Sequence, residues 1–264
     1  MPESLLTLVL GFVSGVLSGM FGIGGGVVTT PAIRLLLGAP ALVAVGTPLA
    51  AIVPSTLTGA WQYARSGEAD VRSAVVMGLA GCLTAVAGAA VTRVAGGPAV
   101  LIVTAGIIAY MAVDMALQVL VPGDVAGRSG GSRSQTASAR RRPRTVGLVA
   151  CGAITGFYSG FLGLGGGFVL VPLLTRWMDY TMKRAVGTSL VSISILALPG
   201  LVTHALLGNI DVTIAAGLIM GVVPGAAVGA RIALGTGERT LRLAFAALLV
   251  LAAAWLAISE VQGL

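Results

Sequence analysis

The sequence GIGGG at residues 22–26 returns as GLGGG at residues 163–167, 141 positions further along the chain. With that offset and no gap, residues 11–89 align with residues 152–230, and 26 of the 79 aligned positions are identical. In both copies the glycine-rich segment interrupts a long apolar stretch. Two matched halves with interrupted hydrophobic segments are typical of membrane transport proteins built around a pseudo-two-fold axis.

The composition predicts an all-α polytopic membrane protein. Hydrophobic residues make up 56% of the 264 residues and charged residues only 9%, whereas soluble domains carry about 25% charge. A spanning helix needs roughly 20 apolar residues. We predict spanning segments in five apolar runs: 71–94, 99–121, 185–206, 212–234 and 241–259.

The basic residues are unevenly distributed, which divides the chain. Six of the sixteen lie within the Gly- and Ser-rich stretch 127–144. We expect a first membrane repeat over 1–122, a basic cytoplasmic linker over 123–145 and a second membrane repeat over 146–264. The charge of this linker accounts for much of the net +7, so we predict no nucleic-acid partner. Contact of the linker with anionic lipid stays open.

The loop charges predict opposite orientations for the two halves. Basic residues place the loop at 65–72 in the cytoplasm. Its counterpart at 206–211 carries no basic side chain, and His204 lies just before it. The loop at 38–40 is uncharged and its counterpart at 176–184 is basic. We therefore expect two inverted repeats in the bacterial inner membrane, with both termini periplasmic.

Inversion constrains the glycine-rich segments. Residues 146–175 must enter and leave the membrane on the same side, and the second arm, 168–175, is too short to cross a core of about 30 Å. The sequence therefore predicts a re-entrant hairpin in each repeat, with arms at 5–20 and 27–37 in the first half. Counting both arms, each repeat has about five segments, and the chain has ten.

The broken helices predict an anion site. A helix start presents unpaired N–H groups and partial positive charge, and glycine allows a ligand to approach the backbone closely. Two such starts that enter from opposite faces meet near the bilayer midplane. The alternative is that the glycines serve only helix packing. The candidate substrate-binding glycines are Gly22, Gly24, Gly25, Gly26, Gly163, Gly165, Gly166 and Gly167.

Hydroxyl and titratable side chains complete the candidate site. Thr47, Thr188 and Ser189 lie early in the next helix of each half and can donate to anion oxygens, or else bond back to their own helix. Asp114 and His204 are candidates for proton coupling. Interfacial or packing roles are the alternative for both.

The sequence gives no reason to predict an enzyme. It contains no His/Cys cluster for a metal ion, no nucleophile elbow and no Walker pattern. We therefore predict no metal, no cofactor and no catalytic residue. Cys82 and Cys151 lie in apolar segments, where we expect packing roles and no disulfide.

Several motifs resemble those of the sulfite exporter TauE/SafE family of bacterial membrane permeases. They are SGMFGIGGG at 18–26 with Pro31, SGFLGLGGG at 159–167 with Pro172, AVGT at 44–47 and AVGTSL at 185–190. The resemblance covers nearly the whole chain except the linker. It implies export of a small sulfur-containing anion, such as sulfite or an organosulfonate. Pro48 after Thr47 departs from the Thr-Ser/Asn form of the family.

Together these observations predict a secondary transporter that exports such an anion by alternating access. An inside-negative potential favours the exit of anions by about 2.3 kcal/mol per charge per 100 mV. An anion channel, a non-transporting scaffold or sensor protein, and a cation transporter are the alternatives. The expected partners are a small sulfur oxyanion and the lipid bilayer, and a homo-oligomer stays open.

Overall fold

The computed structural model describes residues 2–95, 106, 110, 111, 113, 115, 145–162 and 166–261, and the described part is helical without a strand. In the first half the helices are α1 (Pro2–Phe21), α2 (Gly26–Leu36), α3 (Ala41–Arg65) and α4 (Val71–Ala95). In the second half they are α5 (Thr145–Leu162), α6 (Gly167–Trp177), α7 (Met182–Leu206), α8 (Val212–Gly235) and α9 (Glu238–Val261).

Four of the described helices are long and apolar enough to cross a bilayer. They are Leu42–Arg65, Val71–Gly88, Met182–Leu206 and Val212–Gly235. The all-α polytopic prediction is therefore confirmed. The predicted run 241–259 is helical within α9. Most of the predicted run 99–121 and the linker up to residue 144 lie outside the described residues.

The two helices that follow the glycine-rich segments are short. Both α2 and α6 have 11 residues, or about 16 Å of helix. Each begins after a glycine in the left-handed conformation, Gly25 with φ 77° and Gly166 with φ 67°. Glycine adopts this conformation without the strain that a Cβ would cause. The helix interruptions thus fall where the sequence predicts them.

The first helix of each half packs along the fourth helix of the other half. Glycines bring the backbones into contact, because a side chain at these positions would overlap the facing main chain. In α1 they are Gly11, Gly15 and Gly19, which face Leu218, Val222 and Ala226 of α8. In α5 the equivalent Gly152, Gly156 and Gly160 face Met77, Gly81 and Ala85 of α4.

The third helices, α3 and α7, contact each other in the interior. Ile52 and Ile193, which are equivalent under the 141-residue offset, are 3% and 1% exposed and belong to one apolar cluster with Ala197. Helix α3 continues through Pro48 and Pro54, so neither proline ends it. This α3–α7 contact is the part of the core that lies against the glycine-rich segments.

Matched hydrogen bonds join the halves at the two ends of the bundle. The Asp70 amide donates to Thr188 Oγ1 at 3.0 Å, and the Asp211 amide donates to Thr47 Oγ1 at 3.1 Å. Asp211 also accepts from the first amides of α8, and Asp70 accepts from the Ser73 amide near the start of α4. Both aspartates therefore cap helices as well as tie the halves together.

Among the residues that the structure describes, a charged connection of this kind is present at the Asp70 end alone. Arg184 and the Tyr180 hydroxyl each lie 3.0 Å from Asp70 Oδ2, and Arg184 stacks over the Tyr180 ring. The equivalent positions at the other end are Val43 and Ala39. Burial raises the pKa of Asp70, but hydrogen bonds from Ser73, Tyr180 and Arg184 outweigh it and hold that pKa below its usual value.

Substitution of the two equivalent aspartates, Asp70 and Asp211, tests how much the contact of Asp70 with Arg184 and Tyr180 contributes to stability. We expect Asp70→Asn to lower the free energy of unfolding by about 0.5–1 kcal/mol, the range of an exposed ion pair. Asp211→Asn should have almost no effect, since asparagine also caps a helix. Because the pKa of Asp70 is lowered by folding, its contribution is present at pH 7 and is lost as the pH falls below about 4. Thermal unfolding in detergent at pH 7 and pH 3 measures both; equal loss from both variants at pH 7 contradicts the assignment.

Candidate functional site

The two glycine-rich segments touch each other. Gly167, the first residue of α6, lies directly against the carbonyl oxygen of Gly22, and a Cβ built on it would be 2.8 Å from Ile23 Cα. Gly22 to Gly26, Gly166 and Gly167 are buried. Gly163 and Gly165 lie outside the described residues. The start of one short helix therefore lies on the break of the opposite half.

Main-chain amides at both helix starts have no partner in their own helix. In α6 the first intrahelical bonds come from the amides of Val169 and Leu170 to the Gly166 carbonyl, at 3.1 and 3.2 Å. In α2 the Thr29 amide bonds to the Gly25 carbonyl at 3.2 Å. Neither start has a side-chain cap. The amides before these residues are directed out of the helix start, which carries partial positive charge.

Hydroxyl groups surround the first break. Ser14 and Thr29 both donate to the Gly25 carbonyl at 3.1 Å, and Ser55 donates to Ser18 at 3.0 Å. A narrow cleft, too small to admit a water molecule, lies among them. Its lining residues are Ser14, Gly24, Gly25, Thr29, Pro48, Ala51, Ile52, Ser55 and Val222.

The second break has a different hydroxyl chemistry. Thr155 is the equivalent of Ser14, and it lies against Gly166, with its methyl carbon 2.9 Å from where a Cβ on that glycine would be. Thr155 is 1% exposed, and within the described part of the chain its Oγ1 has no hydrogen-bond partner. Leaving a buried hydroxyl unpaired costs about 1–3 kcal/mol. A polar ligand that accepted from this group would remove the cost.

The α3–α7 contact closes the space between the breaks. Ile193 lies against both Gly24 and Gly167, and Ile52 also lies against Gly24. Ser189 Oγ donates to the Gly22 carbonyl at 3.1 Å and to Val186 within its own helix at 2.8 Å. The structure thus brings Ser189 to the junction of the two breaks, together with an apolar isoleucine pair.

Other predicted site residues lie elsewhere. The hydroxyls of Thr47 and Thr188 accept hydrogen bonds from the amides of Asp211 and Asp70, and neither bonds to the described residues of a glycine-rich segment. His204 lies in the last turn of α7 and its Nδ1 is 3.4 Å from the Asn209 amide nitrogen. Asp114 lies outside the described residues.

The hydroxyls that precede each break were not predicted from the sequence. Ser14 and Ser18 lie four residues apart on α1, and Thr155 and Ser159 repeat that spacing on α5. Side chains four residues apart share one helix face. A repeated pair of hydroxyls on one face, just before each glycine segment, was a signal that could have identified them.

The described residues contain no cluster of three His, Cys, Asp or Glu side chains that could hold a metal ion. Cys82 is half-buried and Cys151 is buried, and both are free thiols. The polar atoms available at the junction are therefore main-chain amides and hydroxyl groups. Both kinds of donor suit an anion.

Comparisons with known proteins agree with a transport function. The family model described as "Sulfite exporter TauE/SafE" matches residues 7–256. A probable membrane transporter protein of Xylella fastidiosa is 26% identical over 230 residues, which cover 87% of this chain and 84% of that protein. The probable membrane transporter protein YdhB of Bacillus subtilis is 25% identical over 228 residues, 86% of this chain and 89% of that protein.

No solved structure gives a significant match to this chain. The family model, by contrast, extends over nearly all of it, including both glycine-rich segments and the helices that position them. The chain therefore belongs to the sulfite exporter TauE/SafE family of membrane transporters.

Proposed function

We propose that this protein is a secondary transporter that exports a small sulfur-containing anion, sulfite or an organosulfonate, across the bacterial inner membrane. The observation that carries the proposal is the contact between the buried start of α6 and the Gly22–Ile23 break that precedes α2. Both short helices begin at buried glycines without a side-chain cap, and each start offers main-chain amides and partial positive charge. The sulfur-containing anion itself comes from the family to which the chain belongs.

The proposed ligands are the amides after Gly25 and Gly166 and the hydroxyl of Thr155. An oxyanion accepts several hydrogen bonds at once, and bonds to a charged group are each worth about 1.5–3 kcal/mol. Thr155 supports this site because its hydroxyl is buried without a partner. Ser189 and the hydroxyls near Gly25 are engaged with main-chain carbonyls, so we assign them to positioning the breaks. Thr47 and Thr188 hold the helix ends that must move when the site opens.

The proposed mechanism is alternating access between two inverted repeats, 1–122 and 146–264, each with a re-entrant hairpin. Equivalent contacts support it, because α1 packs on α8 as α5 packs on α4. The Ile52–Ile193 pair closes the junction in the present conformation. Rocking of the halves would separate these side chains on one face at a time. The cytoplasmic linker, the periplasmic termini and proton coupling through Asp114 or His204 remain parts of this proposal.

An anion panel tests the binding site. We expect one of sulfite, sulfate, thiosulfate, sulfoacetate and taurine to raise the thermal transition of the purified protein, and Thr155→Val to weaken that ligand about tenfold or more, as loss of one charged hydrogen bond predicts. Without ligand, Thr155→Val should be as stable as the wild type or more so, because it removes an unpaired hydroxyl and keeps the shape of the side chain.

The matched control is Thr175→Val at the other end of α6. Its hydroxyl is also buried but donates to the Pro172 carbonyl at 2.9 Å. It should lose some stability and keep the anion affinity of the wild type. Unchanged affinity in Thr155→Val, or equal weakening in both variants, would rule out the proposed ligand role.

Counterflow in vesicles separates a transporter from a channel. Anion loaded on the opposite side should accelerate uptake of labelled anion, because a transporter returns faster when its site is occupied. Saturating electrical current without such acceleration would favour a channel. No anion-dependent flux of either kind would favour a scaffold or sensor protein.

A further inference from the structure

A surface pocket separate from the glycine junction lies between the C-terminal ends of α3 and α8. It has a volume of about 340 Å³, within the roughly 300–1,000 Å³ of small-molecule sites. Its lining residues are Trp61, Gln62, Arg65, Ser66, Arg231 and Leu234. Arg65 is 13 residues beyond Ile52 on the same helix, about 20 Å along its axis. The pocket is therefore distinct from the proposed transport site.

The pocket concentrates positive charge without a compensating acid. Arg65 and Arg231 both line it, and no carboxylate among the described residues lies within ion-pair distance of either guanidinium. The Arg65 guanidinium stacks over the Trp61 ring at 4.6 Å, which limits its orientations. Two guanidinium groups on one concave surface suit a phosphate group, which they can bind through paired N–H donors.

The repeat does not explain these side chains. The positions equivalent to Trp61 and Arg65 in the second half are Val202 and Leu206, and the position equivalent to Arg231 is Ala90. The fold therefore forms the same helix ends twice but has this aromatic and basic set at one end only. That makes the set a feature of one membrane face and not a requirement of the architecture.

The position of the pocket favours the phosphate of a lipid headgroup as its ligand. Trp61 is 59% exposed, and the neighbouring Leu57 on the same helix is 53% exposed, so the rim belongs to the apolar outer surface of the bundle. The adjoining loop at 65–72 is the basic one that the charge pattern assigns to the cytoplasm. Tryptophan favours the headgroup level of a bilayer, and the cytoplasmic leaflet is rich in anionic lipid.

We propose that the pocket formed by Trp61, Arg65 and Arg231 binds the phosphate headgroup of an anionic phospholipid of the cytoplasmic leaflet. The acyl chains of this lipid lie along the exposed apolar side of α3 next to Leu57. The two arginines select the charge, and Trp61 fixes the depth of the headgroup. A lipid held here bridges α3 of the first half and α8 of the second.

Native mass spectrometry of the detergent-purified full chain tests the site with phosphatidylglycerol, phosphatidylcholine and inorganic phosphate as separate probes. We expect phosphatidylglycerol to bind best. Arg65→Gln and Arg231→Gln should each weaken it about fivefold, and the double variant roughly thirtyfold, as expected for basic residues at an anionic surface. Arg239→Gln changes an exposed arginine at the start of α9, outside the pocket, and should bind like the wild type.

Thermal unfolding of the same variants reports whether they fold. The variants Arg65→Lys and Arg231→Lys form a second pair, which keeps the positive charge but loses the paired N–H donors of arginine. We expect this pair to bind phosphatidylglycerol with intermediate affinity. Equal binding by the double Gln variant and the wild type would overturn the proposal. Binding of phosphatidylcholine as tight as phosphatidylglycerol, or of inorganic phosphate at the same concentrations, would overturn the assignment to an anionic lipid.

Discussion

Gly167→Ala should reduce anion transport at least tenfold, although it adds only one methyl group. The new Cβ would overlap the Gly22 carbonyl oxygen and would come within 2.6 Å of Ile193 Cδ1. The carbonyl is main chain, so the two glycine-rich segments must separate. A displacement that costs 1.4 kcal/mol of binding already corresponds to a tenfold loss, and overpacking of a tight interior costs about 1–3 kcal/mol. Uptake of labelled anion into proteoliposomes measures the effect.

Gly235→Ala is the matched control for this prediction. It lies at the end of α8, where a Cβ would have no neighbour within 4 Å. Its transport rate should equal that of the wild type at equal protein content in the vesicles. If Gly167→Ala, with unchanged elution in size-exclusion chromatography, also transports at the wild-type rate, the contact of the two breaks is not part of the transport site.

Gly156→Ala should destabilise the folded protein by about 1–3 kcal/mol, the usual cost of overpacking. A Cβ at this position in α5 would overlap the main chain of Gly81 in α4, so the two helices must move apart. This result is opposite in sign to the usual effect, because replacing glycine by alanine within a helix ordinarily stabilises it by up to about 1 kcal/mol. Thermal unfolding in detergent measures the change.

The same substitution elsewhere provides the comparison. At Gly200 in α7 a Cβ would meet only the end of the Leu49 side chain at 3.4 Å, which is ordinary contact. Gly200→Ala should therefore keep or raise the thermal transition, whereas Gly15→Ala, the equivalent of Gly156→Ala on α1, should lower it. Equal stability of all three variants would contradict the close packing of α1 on α8 and of α5 on α4.

The sequence predicted the places where helices stop because glycine and helix length act locally. The run at 22–26 cannot easily continue a helix, and the next apolar segment is short whatever it packs against. Helix capping by Asp70 and Asp211 is equally local, since it needs only an aspartate after a glycine turn.

The partners of these elements could not be predicted from one sequence. The spacing of Gly11, Gly15 and Gly19 indicates close helix packing, but it does not say which helix is the partner. The facing residues of α8 lie 207 positions further along the chain. The hydrogen-bond partners of Thr47 and Thr188 could not be predicted from the sequence either. Each follows a glycine in a matched position, and only the fold reveals that their hydroxyls meet the aspartate turns of the opposite half.

The first helix of each half packs against the fourth helix of the other half, and this packing bears on how such a chain could have arisen. The glycine face of α1 is covered by α8, and that of α5 is covered by α4, so neither half covers the glycine face of its own first helix. A shorter ancestor with one half would have exposed this face to lipid unless a second copy covered it. A duplication of such a subunit would join two copies whose first helices already covered each other's fourth helices.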